Sequence, residues 1–415
     1  ANPITEKNTS KNPSENKKKE KKDLPTFEET IKSYTHTKGL FDIYFNPEKH
    51  HYLIGIKPDQ FNQIYLYNLT RTSGDGYWFD SSSMLYEFPF KLKKIGNQIQ
   101  FLQINTKFRA NKNTPMKKAL TLSLSDSLIL SGPLISKPDP KTNTILLDLN
   151  DILLTKTHIT PFSDDDEDDD EENNEKIIFE FEKPNSYLEN ILSFPFNTEI
   201  DLVLHFISHK NHGEYTLPNP SSMFLRYHLS LSALPESNYK SRLVDDRVGY
   251  FSTLFQDYSS VEIKDPYVRY INRWHIEKKD PTTSLSESKQ PIIFWLENTI
   301  PEKYRAAITQ GILVWNTSFE KIGIKDAIQV KQMPDDATWD PADVRYNTVR
   351  WMIHPNSGYA VGPSRANPFT GEIYDADIRI SSDFIRHFYT EYTDIITPLI
   401  NQTSPSKKNI KTWKA

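Results

Sequence analysis

The chain has 415 residues, no cysteine, and a formal charge of −5 from 50 basic and 55 acidic side chains. That length makes two or three domains the expectation, and the near balance of charge leaves no overall field to draw in nucleic acid or an anionic membrane. Without cysteine neither a disulfide nor a thiolate zinc site can form, and no apolar run approaches the ~20 residues that span a bilayer as a helix.

Residues 1–23 are mostly Asn, Ser, Lys and Glu and run into KKKEKK, so a disordered basic leader is expected there. The sequence starts at Ala1 without an initiator methionine, which together with the missing cysteines is how a processed, exported protein reads. A periplasmic or extracellular location is the expectation.

Residues 24–235 read as a β-rich domain. A short helix over Phe27–Tyr34 is followed by β-prone runs at Leu40–Phe45, Tyr52–Ile56, Gln63–Thr70, Tyr77–Asp80, Leu85–Leu92 and Gln98–Ile104. Further runs lie at Ala119–Ser125, Leu128–Leu130, Thr144–Leu149, Ile177–Glu182, Phe194–Phe206 and Ser222–Ala233. Turn residues such as Asn46-Pro47 and Ser73-Gly74-Asp75-Gly76 separate them. Many short strands in such a series predict an antiparallel sandwich or barrel. In the Phe194–Phe206 run, Ile200, Leu202, Leu204 and Phe206 alternate and should point inward. The loop 160–176 carries nine consecutive acidic residues, Asp164–Glu172. A calcium loop needs spaced ligands and a turn glycine, so a solvated insertion is expected instead. His205 and His209 would sit ~13 Å apart along a strand, too far to share one zinc. His228 reads as an ordinary strand residue.

Residues 236–290 form a connecting segment. Its stretch YKSRLVDDRVGYF, Tyr239–Phe251, is too charged for a core and too aromatic for a plain linker. Val268–Lys279 predicts a strand, and 280–290 an exposed loop.

In 291–415 a strand at Ile292–Leu296 leads to a helix start, with Thr299 as N-cap, Pro301 in the first turn and Glu302 three residues after the cap. Tyr304, Ile308, Ile312, Trp315, Phe319 and Ile322 recur on one helical face, and Gly323 supplies the left-handed stop. Strands follow at Ala327–Lys331, Thr348–Ile353 and Tyr374–Ile380. A last helix, Ser381–Ile400, carries Phe384, Ile385, Phe388, Tyr392, Ile395 and Leu399 on one face. Its His387 has Asp383 and Glu391, and no second histidine, four residues to either side, and reads as an ordinary surface or core residue. Asp335, Asp336, Asp340 and Asp343 suit caps and turns better than a calcium loop.

The succession PIIFWLE, TIPEKYR, DVRYN, GPS, TGEI and ADI within Pro291–Ile380 resembles the upper half of the catalytic domain in large bacterial zinc metalloproteases. These are metzincin-like enzymes that carry long N-terminal domains of unknown function. YKSRLVDDRVGYF and VRYINRWHIEKK are similar to segments of the same family. The resemblance implies an α+β protein: an antiparallel β-rich N-terminal domain, sandwich-like or barrel-like, followed by the upper α/β half of a metzincin-like catalytic domain. It implies an exported zinc-dependent metalloendopeptidase whose zinc helix, HExxHxxGxxH, comes after the matched segment. No HExxH occurs in this chain, so no catalytic residue and no metal ligand is assigned here. Zinc belongs to the full-length family member and is not expected to be bound by this chain.

By resemblance, Ala376, Asp377, Ile378, Arg379 and Ile380 form the edge strand that pairs with an extended peptide, with Gly358–Ser364 and Thr370–Ile373 leading in. Arg242, Asp245, Asp246 and Arg247 would dock across the cleft, an aspartate even capping the zinc. Ordinary surface ion pairs are the competing reading. The implied partners are a peptide or protein substrate and a C-terminal catalytic remainder, and no nucleic acid. The chain is then either a fragment or a degenerate relative. The rival class is a non-catalytic, secreted, β-rich peptide-binding module.

Overall fold

The computed structural model describes residues 23–74, 83–155, 179–208, 216–234, 236–262, 264–339, 341, 343–355 and 358–403. Residues 1–22, the expected strand Tyr77–Asp80, the acidic loop, His209, His212 and Asp340 lie outside them. The fold is α+β and mostly antiparallel β, with one sheet curled into half a barrel.

That sheet has seven strands, ordered Glu180–Ser193, Asn197–Ile207, Ser222–Ala233, Tyr65–Ser73, Ser83–Ile95, Gln98–Gln103 and Ser127–Pro133, each antiparallel to its neighbours. A four-stranded antiparallel sheet, Thr35–Thr37, Asp42–Asn46, His51–Ile56 and Ile145–Asp148, faces it. Alternation drives the packing. Ile43, Ile54, Ile56 and Leu147 from the smaller sheet share one buried core with Ile200, Leu202, Leu204 and Phe206 from the larger. The expected inward set is therefore buried as a set. Phe27 starts the first helix, Phe27–Ile31, behind a capping box between Thr26 and Glu29.

One predicted strand is a helix. Ala119–Ser125 falls largely within the helix Pro115–Ser123, because the Thr114 hydroxyl accepts from Lys117 N and Pro115 occupies the first turn. The segment is exposed, with Leu122 89% accessible, so no sheet competes for it.

The second core belongs to the C-terminal half, where Ile292, Phe294, Leu296, Ile300, Ile328 and Val349 are packed by Ile308, Ile312 and Phe319. The expected single helix is two, Glu302–Leu313 and Asn316–Lys321. Trp315 and Ile322 fall off the buried face, at 63% and 64% exposure. Thr299 is not the N-cap, which is Pro301. Its hydroxyl instead accepts from Trp351 N at 3.2 Å and donates to Glu297. Gly323 does take the left-handed conformation, φ +83°. The last helix begins behind the N-cap Ser381 and continues past Pro398 to Thr403 through a wide turn, Tyr392–Ile396. A proline lacks the N–H and crowds the carbonyl four residues back, so the helix widens there rather than ending. Its apolar face, with Phe388, Tyr392, Ile395 and Leu399 each about half exposed, meets solvent in this structure.

The two halves are joined by named contacts. Tyr374 donates to Glu87 at 2.9 Å. Arg109 donates to the carbonyls of Phe369 and Pro368 and lies 3.6 Å over the Phe255 ring. Arg345 pairs with buried Asp343 and covers the ring of Phe194.

Candidate peptide-pairing edge and its supports

The C-terminal sheet has five strands in the order Ile328–Gln332, Ile292–Leu296, Asn347–Met352, Ile378–Ser381 and Ala360–Val361. The first four are parallel and the last is antiparallel. Parallel neighbours need long crossovers. The helices Glu302–Leu313 and Asn316–Lys321 are the crossover between Ile292–Leu296 and Ile328–Gln332. Asn316 locks that layer: its amide donates to Ile328 O at 2.9 Å, and its carbonyl accepts from Ile328 N at 2.8 Å.

The predicted strand Tyr374–Ile380 splits at Asp377. Glu372–Ala376 lies between Arg273–Trp274 and Ser364–Ala366 in a separate three-stranded sheet, while Ile378–Ser381 joins the five-stranded one. Asp377 makes the break. Its carboxylate accepts from both the backbone N and the hydroxyl of Thr348, at 3.1 and 2.6 Å. Asn347 spans the same junction, donating to Ile293 O and accepting from Ala376 N.

This places the expected substrate-binding residues differently from the sequence reading. Arg379 and Ile380 are paired on both sides, with Arg350 and Trp351 in one neighbour and Val361 and Ala360 in the other. A strand hydrogen-bonded on both flanks cannot accept another, so Ile378, Arg379 and Ile380 are not an edge. Ala376 belongs to the other sheet and Asp377 to the junction. On this side the outer strand is Ala360–Val361, exposed at both residues, and the opposite margin is Ile328–Gln332. Tyr359 O accepts from Ser381 N, Val361 opposes Arg379, and Pro363 O accepts from Asp377 N. The inward-facing residues are thus 359, 361 and 363. By the two-residue period of a strand, the N–H and C=O of Ala360 and Gly362 point outward. The sequence reads Gly358–Ser364 as a loop leading in. Pro363 suits an edge strand as well as a loop, since proline in a sheet is confined to edges and strand ends.

Arg242 lies along the strand Tyr267–Ile271, and Asp245, Asp246 and Arg247 form the turn that follows. Ile271 N donates to Arg242 O, and Val244 N donates to Arg269 O. Their side chains are exposed. Arg247 pairs with Asp245 two residues back, at 2.6 Å. The Arg247 guanidinium, then its backbone N–H, holds the Asp245 carboxyl down to about 2. Asp245 and Arg247 thus form the ordinary surface ion pair that competes with the docking expectation.

No group of three metal-ligating side chains exists among the described residues. Three histidines there have other partners: His51 with Asp148, His205 with Glu182 and Ser222, His275 with Glu372. With fewer than three ligating side chains together, these donor sets do not fit a zinc ion. His228 is more than an ordinary strand residue. It is 2% exposed, with Nδ1 at 2.7 Å from Asp201 and Nε2 at 2.6 Å from Glu199. Burial alone would lower its pKa, but the two carboxylates outweigh burial and push it up to about 10.

A second polar cluster sits where the halves meet. Arg365 and Asp375, 2% and 1% exposed, face each other across opposed strands, with Nε 3.1 Å from Oδ2. Glu87 and Tyr374 adjoin them. Beside the cluster, Leu66, Glu87, Thr106, Thr253, Ser364 and Pro368 line a cleft of about 210 Å³.

Residues 83–279 match a family described as a domain of unknown function, DUF5117. The match runs from the strand Ser83–Ile95 through the half-barrel and the connecting segment, crosses the expected boundary at residue 235, and stops short of Ile292–Leu296. No curated protein and no solved structure matches the chain.

Proposed function

We propose that the chain supplies the non-catalytic domain and the substrate-side wall of an exported, metzincin-like zinc metalloendopeptidase, binding an extended peptide along Ala360–Gly362. The observation that carries this reading is the short antiparallel strand at the exposed margin of an otherwise parallel sheet. Its outward N–H and C=O groups at Ala360 and Gly362 fit β-strand addition. The metalloprotease resemblance of Pro291–Ile380 supplies the reaction class. The proposed role of these residues is to bind and orient a peptide backbone, and bond cleavage is assigned to groups that this sequence does not contain.

Titration of the chain with an unstructured oligopeptide, read by the peptide's own fluorescent label, tests the reading. Ala360→Pro removes one outward donor while leaving the inward-facing residues untouched, and should weaken binding at least about tenfold, the equivalent of ~1.4 kcal/mol. Equal binding by the variant and the parent would rule out this edge.

A further inference from the structure

The junction cluster contains more negative charge than it can hold ionised. Glu87 reaches it from Ser83–Ile95, Arg365 from Ser364–Ala366, and Tyr374 and Asp375 from Glu372–Ala376, with Asp377 just beyond. Three carboxylates therefore face one guanidinium. Asp375 is the least compensated. Its Oδ1 has no hydrogen-bond partner among the described residues, nor have Nε and Nη1 of Arg365, although Nε lies 3.1 Å from Asp375 Oδ2. Asp377 is stabilised from elsewhere, by the backbone N and hydroxyl of Thr348. Glu87 accepts from the Tyr374 hydroxyl of the other half. A buried carboxylate with too few donors keeps its proton.

We propose that Glu87, Tyr374, Arg365 and Asp375 form a proton-operated latch between the half-barrel and the C-terminal half, closed when the cluster holds a proton and loosened when it is lost. Burial, reinforced by the Asp377 charge, lifts the Asp375 carboxyl well above the usual range. Burial also lifts Glu87, against the opposing pull of Arg365 and Tyr374. Carboxyls raised in the folded state contribute stability that is complete below their ordinary range. That contribution is lost as pH climbs through their folded-state values. The latch therefore opens towards alkaline pH. Arg365 stays charged throughout, so opening exposes an uncompensated pair of carboxylates to solvent. Ser364, which lines the adjoining cleft, lies on the strand that the latch holds, and Pro368 follows two residues after it.

Hydrogen exchange followed from pH 5 to pH 9, corrected for the intrinsic pH dependence of exchange, tests this on the full chain. Protection of amides in Ser364–Ala366 and Glu372–Ala376 should fall by up to about tenfold per pH unit across the window for one proton. Glu87→Gln should flatten that slope, and Asp375→Asn, which fixes the neutral form, should retain protection at pH 9. Infrared difference spectra supply a readout independent of stability: a protonated-carboxyl band at neutral pH that disappears in Asp375→Asn. A pH slope unchanged in Glu87→Gln, faster exchange at pH 9 in Asp375→Asn than in the parent, or no protonated-carboxyl band would each overturn the latch.

Discussion

Asn347 is the side chain on which the C-terminal sheet and its neighbour depend together. Its amide donates to Ile293 O at 2.9 Å and its carbonyl accepts from Ala376 N at 3.0 Å, so one residue joins the strand Ile292–Leu296 to the end of Glu372–Ala376. Asn347→Leu keeps the volume and removes both bonds. Each bond is worth about 1 kcal/mol net, and a buried group left unpaired costs about 1–3 kcal/mol. Leucine regains part of this through apolar contact with Phe294, its register partner. The expected loss is about 2–4 kcal/mol. The assay is urea unfolding followed by tryptophan fluorescence, because Trp274, Trp295, Trp315, Trp339 and Trp351 all lie in this half. With a slope of about 2 kcal/mol per molar urea, the midpoint should drop by roughly 1–2 M. A shift under about 0.3 M would show that Asn347 does not join the two sheets and would refute the reasoning.

Other outcomes follow from the same geometry. His228→Leu leaves buried Glu199 and partly exposed Asp201 without their cation, and should destabilise the half-barrel by about 3 kcal/mol in thermal unfolding. For the parent, the His228 contribution is complete below pH ~6.5 and declines as pH rises to about 10. That part of the stability should be missing from the pH profile of the variant. Gly371→Ala should cost about 2 kcal/mol or more in chemical unfolding, because φ is +78° and a Cβ would stand 2.7 Å from Ile271 O. Asn316→Ala should release the helix Asn316–Lys321 from Ile328, raising hydrogen exchange in Ile328–Gln332 before global unfolding.

The parts of the fold legible in the sequence are those set by local alternation and capping. Ile200 to Phe206 alternate because one face of Asn197–Ile207 is core, and Thr26 and Glu29 announce a helix by their own side chains. Pro115 and Thr114 announced one equally well, but the apolar residues of 119–125 imitate a strand. What stayed hidden depends on partners far along the chain. That Ile378–Ser381 is interior follows from the return of Ala360–Val361 alongside it, a pairing no period within 376–380 can reveal. Asp377 looks like any strand aspartate until Thr348 lies against it. The Glu87–Tyr374 contact spans 287 positions and leaves no local trace. The sequence thus puts the sheet's outer strand at 376–380, one strand inward from Ala360–Val361.

The most direct test of the proposed function is the exchange rate of the Ala360 and Gly362 amides, measured with and without a saturating extended peptide. Both N–H groups point away from Ile378–Ser381, so they should exchange as open amides in the free chain and become protected at least about tenfold on binding. The inward-facing Val361 amide should be protected in both states. Peptide binding that leaves Ala360 and Gly362 unprotected, or protects amides elsewhere instead, would contradict the account.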